Sequence, residues 1–192
     1  MSNQSGQYLD LIYSSPASGT AKNTFTSEVK INDTAGMGAT PILLPEFWLP
    51  NGGVGRGIHI IARGILSSTG TPTFTITCRI GAEGSTSAAI VLGTAALTTG
   101  SGVTNQIWQL EGDVILKTLA AAGANSTAIG TGLFISSGTA NKIDPAYGGG
   151  ATPGTVATVD HSIANYINLN AACSASAAGN SIQVQQLVIL GL

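Results

Sequence analysis

The chain has 192 residues with 7 Lys+Arg and 9 Asp+Glu, a formal net charge of −2, and 8% charged residues, where a globular domain carries about 25%. So weak a charge offers no basic field to a phosphate backbone or an anionic bilayer, which argues against nucleic-acid and peripheral-membrane partners. A hydrophobic share of 43% argues against disorder, and no apolar run reaches the ~18 residues a spanning helix needs.

Met1 to Tyr13 has neither a charged n-region nor an apolar h-region, so no signal peptide is expected. Residues 1–22 read as an extended N-terminal arm: a polar tip, a Tyr8-Leu9-Asp10-Leu11-Ile12-Tyr13 patch, then a Pro/Ser/Gly joint. Tyr8, Leu11 and Tyr13 are its candidate contact residues. From residue 23 to 192 the chain reads as one all-β domain. Phe25, Val29 and Ile31 alternate with polar residues, the period of a half-buried strand. Phe47 and Trp48 lie between Pro45 and Pro50, and are extended or turning rather than helical. They suit a core plug, an inter-subunit anchor or a ligand platform.

Gly57 to Leu66 is rich in Ile without clean alternation, which suggests a strand buried on both faces or bulged. Phe74, Ile76, Cys78 and Ile80 share one face of the next strand, and Ala89 to Leu92 make a short one. In Ile107 to Lys117 the inward set is Trp108, Leu110, Gly112, Val114 and Leu116, with Gln109, Glu111, Asp113 and Lys117 outward. Leu119 to Ala122 is long enough for one helical turn. Thr127 to Ile135 reads as another doubly buried or bulged strand. Ser136 to Gly154 reads as a 19-residue loop carrying Tyr147; loops beyond about 12–15 residues are often functional. Val156 to Asp160 and Tyr166 to Cys173 follow, the latter with Ile167, Leu169, Ala171 and Cys173 inward. Ile182 to Leu190 breaks step at Gln185-Gln186, as a β-bulge would. Nine or so short strands between Gly/Ser/Thr turns predict an antiparallel β-sandwich, specifically a jelly roll.

Catalytic chemistry finds little to work with. Asp160-His161-Ser162 is contiguous, but adjacent strand residues face opposite ways, and triads form by spatial convergence. His59 sits in the Ile-rich strand and reads as core or surface. Two His and two Cys lack zinc spacing. Cys78 and Cys173 both point inward and suit small buried hydrophobes, with a mutual disulfide left open. Asn51 to Gly57 is glycine-rich but lacks the Lys-Ser/Thr and helix of a phosphate loop. No active site, cofactor or metal is expected.

The chain does resemble a known group. The residues that carry the likeness are Asp33-Thr34-Ala35-Gly36-Met37-Gly38, Phe47-Trp48-Leu49-Pro50, Arg56-Gly57-Ile58, the run from Ala62 to Thr73, the run from Leu97 to Asp113, and Asn170 to Ser176. Together they resemble small β-sandwich structural proteins of tailed bacteriophages and prophages, over roughly residues 23–191. That resemblance implies a non-enzymatic virion component, foremost a capsid decoration (cement) protein on the outside of the shell. Its partners would be the major capsid protein and further copies of itself, as a homotrimer, with assembly in the host cytoplasm. A tail or baseplate module, or a carbohydrate-binding adhesin using Trp48 or Tyr147, are the alternatives. Crowding on a lattice also suits a chain whose like-charge repulsion is small.

Overall fold

The computed structural model describes residues 10–32, 37, 41–46, 48–49, 54, 56–121, 126–137, 142–148 and 154–192. Its elements are antiparallel strands: β1 (Asp10–Ser14), β2 (Lys22–Asn23), β3 (Val29–Lys30), β4 (Leu43–Leu44), β5 (Gly57–Ser68), β6 (Thr73–Gly81), β7 (Ala89–Thr94), β8 (Leu97–Thr98), β9 (Val103–Thr118), β10 (Ser126–Ser136), β11 (Lys142–Tyr147), β12 (Val156–Val159), β13 (Asn165–Cys173) and β14 (Ser181–Gly191). They form one strongly curled sheet in the order β1-β14-β5-β9-β10-β11-β7-β6-β13-β3, with β12 on β10, β2 on β14, β4 on β13 and β8 on β6. Hydrogen bonds run unbroken from one half to the other, where the sequence suggested two separate layers.

The curl wraps a single apolar cluster. Ile58 and Ile60 of β5 and Trp108 and Leu110 of β9 share it with Phe74 and Ile76 of β6 and Ile167 and Leu169 of β13. Trp108 stacks on Phe134 at 6.3 Å between centroids. Each inward set expected for β6, β9 and β13 is buried, because period-2 alternation on a sheet with one covered face fixes which side faces the core.

β5 corrects the reading of Gly57 to Leu66. It alternates cleanly, with Ile58, Ile60, Ala62, Gly64, Leu66 and Ser68 buried and His59, Ile61, Arg63 and Ile65 on the other face. Two small inward residues hid the pattern. Gly64 is opposite Trp108 in register, and a Cβ there would lie 1.9 Å from the Gln183 carbonyl oxygen and 2.8 Å from the indole. The glycine makes room for the ring. β10 is likewise not buried on both faces: Ala128, Gly130 and Phe134 face inward, while Leu133 and Ile135 are 49% and 40% exposed. A register shift does occur at its start, between Thr127 and Ala128. β7 passes so close to β10 that a Cβ on Gly130 would fall 1.8 Å from the Val91 carbonyl oxygen.

Three further expectations meet the structure. The bulge at Gln185-Gln186 is present, as a register shift between Val184 and Gln186 against β5. The helical turn over 119–122 is not formed: residues 119–121 have no regular structure, and Ala122 lies outside the described residues. The supposed loop of 136–154 contains β11, which pairs with Thr131–Ser136 of β10. Pro145 lacks the N–H a central strand uses, which made the segment look like a loop; it faces Leu133 in register and is exposed. β11 and β12 divide the same edge of β10 between them.

The stretch read as an arm is, over residues 10–14, an edge strand on β14. Ser15 and Gly19 continue along β14, donating to the carbonyls of Leu187 and Val184. Tyr8 and the rest of residues 1–9 lie outside the described residues.

Candidate functional site

The outer faces of β14, β5, β9 and β10 form one surface. Because the strands are in register, side chains facing away from the core line up in rows. One row holds Leu11, Leu190, His59, Asp113 and Thr131. The next holds Ser14, Val188, Ile61, Glu111 and Leu133. A third holds Gln186, Arg63, Gln109 and Ile135.

Polar members of these rows are joined across three strands. The Arg63 guanidinium donates from Nη1 to Gln186 Oε1 (2.9 Å) and from Nε to Gln109 Oε1 (3.0 Å). Gln109 Nε2 donates to Glu111 Oε2 at 2.6 Å. His59 closes the ladder, with Nε2 3.4 Å from Glu111 Oε1 and Nδ1 2.6 Å from Asp113 Oδ1. Beside it lies a concavity of about 340 Å³ with Gln109, Glu111, Asp113 and Thr131 on its polar side and Leu133 and Ile135 on its apolar side. Exposed Ile107 lies on β9 at the same outer face.

His59 has a carboxylate oxygen near each ring nitrogen, Asp113 at Nδ1 and Glu111 at Nε2. Among the described residues, no group of three His, Cys, Asp or Glu is arranged to hold a metal ion, and no helix is long and apolar enough to cross a membrane.

The other sequence candidates are dispersed. Leu11 is 63% exposed and shares the outer face with the ladder. Tyr13 turns inward and donates its phenol to the Met37 carbonyl oxygen at 2.7 Å; burial raises its pKa. Trp48 is half-buried: Arg56 covers its ring at 4.1 Å, and Gly191 lies against its edge. A platform for stacking a sugar needs an open ring face, and Arg56 occupies one. Phe47 lies outside the described residues. Tyr147 is half-buried between β10 and β7 as a member of β11. Among the described residues, Leu11, Tyr13 and Trp48 lie at the β1–β14 edge and Tyr147 lies on β11, so these four do not form one site.

Asp160, His161 and Ser162 make no triad. Asp160 Oδ1 accepts from the Ser162 hydroxyl (2.6 Å) and amide (3.0 Å), bonds that hold its pKa below the ordinary carboxylate value. His161 is buried, with Nδ1 2.7 Å from the equally buried Ser126 Oγ. The cysteines are kept apart by register. Cys78 is opposite Leu169, and Cys173 is opposite Phe74, a separation of roughly 13 Å along the strands that no disulfide spans. Burial pushes the Cys78 thiol up to about 12.

Sequence reasoning identified Gln109, Glu111 and Asp113 as outward residues but missed the ladder. Its other members, His59, Arg63 and Gln186, sit about 50 and 75 positions away along the chain, and only strand pairing brings them together. No protein-family model, curated protein or solved structure matches this chain.

Proposed function

We propose that the chain is a non-enzymatic structural protein of a tailed-phage virion, a decoration protein that binds the outside of the capsid through the major capsid protein and assembles with copies of itself, as a trimer. In this reading the curled sheet is a jelly roll, with β1-β14-β5-β9-β10 and β11-β7-β6-β13-β3 as its two layers. The observation that carries the proposal is the outer sheet face. It is broad and partly apolar, and its polar groups are hydrogen-bonded to one another, a surface suited to being covered rather than to turning over a substrate. The resemblance of residues 23–191 to phage β-sandwich proteins and the charge-poor composition point the same way.

Co-sedimentation with shells of the phage's own major capsid protein tests it. Saturable binding at a fixed number of copies per capsomer is the expected result. Absence from shells together with labelling at the tail of intact particles would move the protein to the tail or baseplate. Removing residues 1–9 leaves β1 in place and asks whether Tyr8 takes part in binding. A glycan ligand predicts quenching of tryptophan fluorescence; a flat response across a glycan panel is expected.

A further inference from the structure

We infer that copies of this chain meet on the outer face of β14, β5, β9 and β10, with Arg63 of one copy directed at the carboxylate-lined concavity of the next. This rests on the self-association in the proposed function, but not on where the oligomer docks.

Three observations lead there. The first is size. Four strands about 4.8 Å apart and roughly 11 residues long present about 700 Å², close to the ~800 Å² per partner of a specific interface. The second is the apolar content. Leu133, Ile135 and Ile107 are 49%, 40% and 63% exposed on a face that also carries Ile61 and Val188. On a chain with so few charges, such a face is where association is most favourable.

The third is the sign pattern, which favours a second copy over an unrelated partner. The guanidinium of Arg63 lies on β5, bonded to Gln186 of β14 and Gln109 of β9. The carboxylates of Glu111 and Asp113 lie on β9, each with one oxygen near a ring nitrogen of His59, and line the concavity that β10 completes. In a closed ring, one side of the patch on each subunit meets the other side on its neighbour. Each contact then sets a guanidinium against carboxylates, while Leu133 and Ile135 supply aliphatic walls for its stem. One chain thus carries both halves of a complementary pair. The Arg63 guanidinium is held by two neutral amides, Gln109 and Gln186, and among the described residues it makes no direct ion pair, so a carboxylate of the next copy can pair with it.

The test uses the full chain and two readouts. Light scattering on the wild type should give a trimer, and Leu133→Asp should lower the mass about threefold while the β-sheet circular dichroism spectrum stays unchanged. Arg63→Glu should weaken assembly at least tenfold, and Arg63→Glu combined with Glu111→Arg should recover part of it. Leu133→Cys provides a check that does not depend on a disruptive side chain, since Cys78 and Cys173 are both buried. Its alkylation should be slow in the oligomer and fast after dilution to monomer. A monomeric wild type at all concentrations overturns the inference, as does an oligomer in which the Leu133→Cys thiol reacts at the rate seen in the monomer. Shell binding is scored separately: a trimer that ignores capsids refutes the decoration role alone, and a monomer that binds them refutes this interface alone.

Discussion

The sheet carries two polar ladders on its outer side, and the protein treats them differently. On β6 and β13, Arg79 grips Glu28 with Nε and Nη2, both at 2.8 Å, and Nη1 donates to the Ala88 carbonyl. Thr77 Oγ1 adds a 2.5 Å bond to Glu28. The loop after β6 folds over this ladder. Asn168 accepts from the Gly84 amide and donates to the Ala82 carbonyl, and Asn170 donates to the Ser85 carbonyl. Asn168 and Asn170, on the side of β13 opposite its inward set, are therefore fully buried. Across β14, β5 and β9 the second ladder runs Gln186-Arg63-Gln109-Glu111-His59-Asp113, and its Glu111 and Asp113 side chains are 41% and 49% exposed. The same chemistry is an internal fastening where the chain covers it and a surface offered outward where the chain does not.

Breaking each ladder should separate the two roles. Arg79→Met strands a half-buried carboxylate and should cost about 3 kcal/mol in denaturant unfolding, whereas Arg63→Met should cost less than ~1 kcal/mol, as for an exposed group. Equal losses would erase the distinction. Asn168→Ala should cost about 2 kcal/mol and make residues 82–88 the first site of proteolytic nicking. Gln109→Ala should leave both stability and cleavage pattern unchanged.

Titration sharpens the contrast at both ends of the pH scale. Burial opposes ionisation of Glu28, but the bonds from Arg79 and Thr77 outweigh it and hold the carboxyl below its ordinary value. A lowered folded pKa contributes stability above the ordinary value of 4.5, which is lost as pH falls through the folded value. Hydrogen exchange at pH 3 should therefore open the 82–88 loop before the β5–β9 core. At the other end, the raised Cys78 pKa leaves its contribution intact below the ordinary thiol value of 9.0 and removes it between there and about 12. Cys78→Ala should flatten that part of the alkaline stability curve. Smallest of all, at dilutions where the chain is monomeric, Leu133→Gln should change stability by no more than ~0.5 kcal/mol.

The expectations made from the sequence divide along a physical line. Alternation placed the core faces of β6, β9 and β13 and the bulge of β14, because a pleated strand with one covered face must repeat every second residue. It failed for β5, where small Ala62 and Gly64 stand inward opposite Leu110 and Trp108, and for β11, where Pro145 conceals a strand. Within the stretch that reads as an arm, residues 10–14 pair with β14, a partner that a five-residue strand carries too little pattern to announce.

What the sequence by itself determined is therefore local: an all-β chain, the inward sides of β6, β9 and β13, and a composition poor in charge. Only the tertiary structure decided which outward residues become neighbours. Register joined His59 to Glu111 and Asp113, separated Cys78 from Cys173, and laid the 82–88 loop over one ladder while leaving the other open. Pairing between strands depends on contacts tens of residues apart, and neither period nor composition encodes it.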